Sequence, residues 1–265
     1  MSETTLAERT LETRRGIKSR LLEGGAGAPL VYFHGAGGLY EDEPLLESLA
    51  GSYHVYAPEW PGYGAQEGED LLEDMLDFTL HGWDVVDALG LERPHLLGHS
   101  MGGMIAAEMA AVSPGSLAKL VLIAPAGLWI DEHPIPDLFA MLPFELAAAL
   151  FKDPKQGEAF LTRGVDFSNL DALKTFLVAN ARRLGTAGKI LFPIPNRRVS
   201  KRLYRLVNDT LVVWGRDDAF IPAPYAERWQ ELLPNGRLAW IEDAGHMVPY
   251  EQTASVAQAI QSFLG

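Results

Sequence analysis

The sequence predicts an α/β fold: a mostly parallel, doubly wound sheet carrying one inserted helical segment. Three observations point there. Short apolar runs alternate with amphipathic helical patterns at both ends of the chain. That rhythm lapses between about residues 126 and 206. The chain has 265 residues, the size of one large domain with a sizeable insertion.

Each element has its own signal. Thr10–Glu23 reads as antiparallel edge strands. Leu30–Phe33 is an apolar run ending in His34-Gly35-Ala36-Gly37-Gly38, and Val55–Ala57 is another, ending in a turn from Glu59 to Gly64. Leu72, Met75, Leu76, Leu80, Trp83, Val86 and Leu89 recur at helical spacing, predicting a helix between Glu69 and Leu89. His95–Leu97 is a strand leading into Gly98, followed by a helix rich in Ala and Met over Met101–Val112. Leu120–Ala124, Leu211–Trp214 and Leu238–Ile241 complete the strands, with a helix at Pro224–Leu233 and a closing helix at Glu251–Leu264. Residues 126–206 are dominated by helical patterns and Pro. They are read as a cap inserted into a core formed by residues 1–125 and 207–265. Seven of the eleven Phe lie in the cap: Phe139, Phe144, Phe151, Phe160, Phe167, Phe176 and Phe192. They predict either a small core of its own or the lining of an apolar pocket beneath it.

Composition excludes several classes of function. Hydrophobic residues make up 48% and charged residues 22%, as in ordinary globular proteins. The net charge of −13 repels phosphate backbones and anionic lipid, so neither nucleic acid nor membrane is an expected partner. The absence of Cys removes disulfides, thiolate metal sites and cysteine nucleophiles. Met1–Glu12 lacks a basic segment followed by an apolar core, so a cytoplasmic location is expected.

Gly98-His99-Ser100-Met101-Gly102 fits G-x-S-x-G between a predicted strand and a predicted helix. That context is what a nucleophile elbow requires. The flanking glycines suit a strained Ser whose neighbours pack without Cβ atoms. Ser100 would stand at a helix N-terminus, where backbone N–H groups can hold an oxyanion. A serine hydroxyl needs a general base, and His oriented by a buried carboxylate supplies it, in the chain order Ser, Asp, His. Of seven His, only His246 follows the last strand. His99 adjoins Ser100 in a tight turn and should point elsewhere. The acid should follow Leu211–Trp214, where Asp217 and Asp218 are both available; Asp218 is favoured. The other place where this fold can set its acid, after Leu120–Ala124, reads Pro125-Ala126-Gly127 and holds no carboxylate.

With these motifs the chain resembles the α/β-hydrolase superfamily, in the branch with a cap inserted after the sixth strand. The resemblance rests on His34–Gly38, Gly98–Gly103, and Gly215–Pro222 with Gly245-His246. It implies an oxyanion hole from the backbone N–H groups of Ala36 and Met101. It also implies acyl transfer from Ser100 without metal or cofactor. Glu59 stands where relatives usually have Asp, a difference expected to affect turn packing. Ser in the elbow separates the chain from epoxide hydrolases and haloalkane dehalogenases, which use Asp there.

The leading expectation is a carboxylic-ester hydrolase for small to medium acyl or aryl esters. A C–C or lactone hydrolase with the same triad is the first alternative, and a non-hydrolytic binding or perhydrolase-type protein the second. Relatives that cleave vinylogous diketo acids hold the substrate carboxylate with a cap Arg. They usually carry Trp after the catalytic His and Asn before the nucleophile, where this chain has Met247 and His99. Both departures favour the ester. Residues 172–208 carry Lys174, Arg182, Arg183, Lys189, Arg197, Arg198, Lys201, Arg202 and Arg205 and no acid, leaving −22 for the remainder. Either this stretch pairs with an acidic core, or one or two of its Arg reach the pocket to hold an anionic group.

Overall fold

The computed structural model describes residues 5–40, 42–192, 194 and 199–265. Eight strands form one sheet: β1 (Ala7–Glu12), β2 (Lys18–Gly24), β3 (Ala28–Phe33), β4 (Tyr53–Pro58), β5 (His95–His99), β6 (Leu120–Ile123), β7 (Thr210–Gly215) and β8 (Gly236–Ile241). Their order across the sheet is β1-β2-β4-β3-β5-β6-β7-β8. β1 and β2 are an antiparallel edge, and β2 also meets β4 antiparallel. Every other neighbour is parallel. The expected mostly parallel sheet with an antiparallel N-terminal edge is therefore present.

The central strands β3, β6 and β7 are apolar and buried because helices cover both faces, whereas the edge strand β1 is charged and exposed. Alternate residues divide between two cores. Val31, Phe33, Leu96, Leu120, Leu122, Val212 and Trp214 pack on one side with α2 (Met75–Ala88), α3 (Met101–Val112) and α7 (Pro224–Leu232). Leu30, Tyr32, Leu97, Val121, Ile123, Leu211 and Val213 pack on the other with α1 (Pro44–Ala50) and α9 (Thr253–Leu264). The helix expected from Glu69 is broken. A single 3-10 turn at Glu69–Leu71 precedes α2, which starts where the Asp74 carboxylate caps the N–H groups of Leu76 and Asp77. A four-residue helix, α8 (Val248–Glu251), precedes α9.

Between β6 and β7 the described residues hold α4 (Pro143–Leu150), α5 (Pro154–Thr162) and α6 (Leu170–Leu191), and no strand. α6 is tied to the core by charge. Arg182 pairs with Glu69 at 2.8 Å, and Lys189 Nζ donates to the carbonyls of Glu69 and Leu72. Beyond α6, Arg202 grips the buried Glu108 of α3, with Nε 2.6 Å from Oε2. Arg205 donates to the Ala111 carbonyl. Pairing of this basic stretch with the core is thus observed for Arg182, Lys189, Arg202 and Arg205. Arg197 and Arg198 lie outside the described residues. Among those described, no helix is long and apolar enough to cross a membrane.

Candidate active site

Ser100 sits at the sharp turn from β5 into α3 with φ 52° and ψ −115°, a conformation L residues rarely adopt. The surroundings hold it there. Its N–H donates to Ile123, and its carbonyl accepts from Met104 and Ala126. Glycine is required on both sides. A Cβ on Gly98 would overlap the backbone of Gly102 and Gly103, and one on Gly102 would overlap the carbonyls of Phe33 and His34. Helix α3 is buried from Met101 to Ala111, which explains its run of Ala, Gly and Met. The N–H groups of Ala36 and Met101 have no described acceptor. Met101 is the first residue of α3, where intrahelical partners are absent.

The structure brings Ser100, His246 and Asp218 together. His246 Nε2 lies 2.9 Å from Ser100 Oγ, and His246 Nδ1 lies 2.9 Å from Asp218 Oδ2. The second Asp218 oxygen accepts the N–H groups of Phe220 and Ile221 at 2.9 and 2.8 Å. Those bonds fix the carboxylate, and the carboxylate fixes the ring. A proton on Nδ1 then leaves the Nε2 lone pair facing the Ser100 hydroxyl. His246 is 2% exposed and Asp218 6%. Asp217, the other candidate acid, faces away and pairs with Lys152 at 3.0 Å.

Two further His brace this centre. His99 Nε2 donates to the His246 carbonyl at 3.0 Å, and burial together with the nearby His246 pushes its pKa down to about 3. A neutral His99 therefore buttresses the base and leaves the serine alone, as its place in the turn predicts. His34 Nε2 accepts the Trp60 N–H at 3.0 Å, and burial lowers its pKa to about 4. Glu59 is buried in the turn that Trp60 continues, with Arg20 3.9 Å from its carboxylate.

A cavity of about 510 Å³ opens over Ser100 and His246. Phe139, Phe144, Phe167 and Phe176 line it, so these four serve the pocket. Phe151 and Phe160 pack instead with Tyr40, Met247 and Tyr250. The polar exceptions in the lining include Tyr40, Glu158, Asn180 and Arg183. Arg183 donates to Asn180 Oδ1 at 2.9 Å and to the Gly37 carbonyl at 3.4 Å, and has no carboxylate partner among the described residues. Sequence reasoning placed Arg183 in a run of nine cations without separating it from the others. It missed Tyr40, for which the sequence carries no signal beyond its nearness to the His34–Gly38 loop. Among the described residues, no cluster of three or more His, Asp or Glu could hold a metal ion.

Residues 30–259 match the model of the alpha/beta hydrolase family. The chain belongs to that family. It is 30% identical over 263 residues to a 2-hydroxy-6-oxononadienedioate/2-hydroxy-6-oxononatrienedioate hydrolase from Cupriavidus pinatubonensis, covering 91% of this chain and 88% of that one. It is 28% identical to a 2-hydroxy-6-oxo-6-phenylhexa-2,4-dienoate hydrolase from Comamonas testosteroni, over 91% of this chain and 89% of that one. Its fold is shared with a carboxylesterase of Bacillus subtilis at TM-score 0.73 and 24% identity, covering 98% of this chain and 91% of that one.

Proposed function

We propose that the chain hydrolyses carboxylic esters through an acyl-enzyme on Ser100. The observation that carries this reading is the continuous line Asp218–His246–Ser100, with 2.9 Å at each step, on the floor of an apolar cavity. In this reading residues 126–206 form the cap over a core of residues 1–125 and 207–265. Ser100 Oγ attacks the ester carbonyl carbon while its proton passes to His246 Nε2. The N–H groups of Ala36 and Met101 hold the oxyanion. Asp218 keeps the ring in the required tautomer and stabilises its positive charge. The imidazolium returns the proton to the leaving alcohol, and His246 then activates the water that releases the acid.

The test is turnover of a p-nitrophenyl ester series, acetate to decanoate, by the wild type and Ser100→Ala. The triad acts as a unit, so the variant should lose several orders of magnitude in kcat. An active Ser100→Ala would overturn the reading.

A second reading, cleavage of a C–C bond in a carboxylate-bearing substrate, is favoured by Arg183. It supplies a cation in the cavity that forms no ion pair among the described residues, although Glu158 also lines the cavity. The two sequence relatives are named for dienoate and dienedioate or trienedioate substrates, all carboxylates. A charge-assisted hydrogen bond contributes about 1.5–3 kcal/mol. Arg183→Met should then lower kcat/KM on carboxylate-bearing substrates by about 10- to 100-fold, well beyond its effect on neutral esters. Equal losses on both would remove the anion-holding role.

A further inference from the structure

The catalytic His loop is stitched to the inserted segment through one carboxylate. Glu251 closes α8, five residues after His246. Its Oε2 accepts the N–H of Gly245, the residue before His246, at 2.9 Å. Its Oε1 accepts the N–H of Lys152, in the link between α4 and α5, at 2.8 Å. A third bond runs alongside: Met247 N–H donates to the Leu150 carbonyl at 3.0 Å. Residues 245 and 247, on both sides of the base, are therefore anchored where residues 150–152 are seated. The fit leaves no slack, since a Cβ on Gly245 would come within 2.9 Å of the Leu150 carbonyl oxygen and 3.0 Å of the Lys152 nitrogen.

We infer that Glu251 is a positioning residue: it couples the seating of the segment at 150–152 to the placement of His246, and its charge steadies the imidazolium formed during the reaction. The inference rests on the triad reading above. It follows from what one carboxylate does here. It bridges two N–H donors that belong to different parts of the chain, with a reacting ring one residue away from one of them. Carboxylates that accept backbone N–H bonds are held more firmly than neutral acceptors.

The charged groups around Glu251 define its electrostatics. From the α4–α5 link come Lys152 and Asp153. From the β7 loop come Asp217 and Asp218, and from the His loop Asp243 and His246. Lys152 Nζ bonds Asp217 at 3.0 Å and Asp243 at 2.5 Å, so its ammonium is already occupied. Burial raises the Glu251 carboxyl; the N–H groups of Lys152 and Gly245 oppose that, Asp218 adds to it, and His246 opposes it. An anion at Glu251 favours a proton on His246.

Glu251→Gln isolates the effect. An amide offers one acceptor oxygen and must turn its NH2 toward the other N–H donor. The experiment measures pH profiles of kcat/KM on p-nitrophenyl butyrate, with rates divided by the fraction of Ser100 labelled by a fluorophosphonate. Partial unfolding lowers the labelled fraction but moves neither the rate per labelled site nor the pH limb. The expected result is a loss in kcat per site of about tenfold or more with little change in KM. The acid limb should also move to lower pH, since a nearby anion is removed. Glu251→Ala, which removes both acceptors, should show the same limb shift with a larger loss in kcat. Per-site rates and limbs equal to wild type in both variants would overturn the inference. A Ser100→Ala control separates the two levels. If it is inactive, unchanged limbs sink the inference alone; if it is active, the triad reading fails and takes the inference with it.

Discussion

Glu43 is a carboxyl group in an apolar place, and its replacement gives a stability change with a definite pH dependence. It precedes α1, is 3% exposed, and accepts the Tyr40 N–H at 2.7 Å and the Tyr250 hydroxyl at 2.9 Å. Burial pushes its pKa from 4.5 up to about 7, the two hydrogen bonds recovering only part of the shift. The folded state therefore holds this proton more tightly than the unfolded chain. Stability from this group is complete below pH 4.5 and is lost as pH rises through 7. Glutamine mimics the protonated acid, offering an oxygen to Tyr40 and an NH2 to the Tyr250 oxygen. At pH 8.5 ionised Glu43 has lost the whole shift, about 3 kcal/mol, whereas at pH 5.5 it has lost only about 1. Glu43→Gln should thus gain on wild type by about 2 kcal/mol between those two pH values. Urea unfolding of both proteins at each pH measures the gap, and titration of other groups cancels in the difference. A gap that stays constant, or narrows as pH rises, would refute the assignment of a proton to Glu43.

Two further substitutions test the framework around the site. Gly102→Ala would place a methyl 2.6 Å from the His34 carbonyl oxygen, displacing the loop that carries Ala36. Overpacking of this kind costs about 1–3 kcal/mol, so a lowered Tm should accompany a kcat loss larger than any change in KM; an unchanged kcat would dissociate that loop from the reaction. Arg202→Met strands the Glu108 carboxylate in the core, at about 3 kcal/mol in urea unfolding. Adding Glu108→Met should restore most of that loss, and a double variant no more stable than the single one would show that the pair is not the cause.

The centre of the sheet was legible because its strands are buried on both faces, so Leu30–Phe33 and Leu211–Trp214 stand out as unbroken apolar runs. Ser100, Asp218 and His246 were legible for a different reason: each needs a special turn, and such turns constrain the neighbouring residues to Gly and Pro. Helix α1 gave no readable period, because seven residues hold too few turns to repeat one. The choice of Asp218 over Asp217 became physical only with the fold. Adjacent residues point in opposite directions, one to His246 and the other to Lys152. Likewise, the Phe residues of the insertion share one composition but divide between the cavity and a separate cluster under Tyr40. Periodicity reports which face of a helix is apolar, and it is silent on which apolar surface that face meets.

The basic stretch shows how a charge pattern can be mechanical first and chemical second. Nine cations in an otherwise acidic chain suggest an anion-binding cap. In the fold, Arg182 and Lys189 are occupied by the turn at residues 69–72, Arg202 by Glu108, and Arg205 by the end of α3. Each of these holds α6 or the segment after it against the core, and each partner lies away from the cavity lining. Arg183 is one residue from Arg182, yet on a helix that step turns the side chain by about 100°, from the core turn to the cavity. Docking charge and substrate charge are thus separated by a single position. The net charge of the stretch therefore says little about the substrate, and any selectivity for anions should follow Arg183 alone among the cations described in α6.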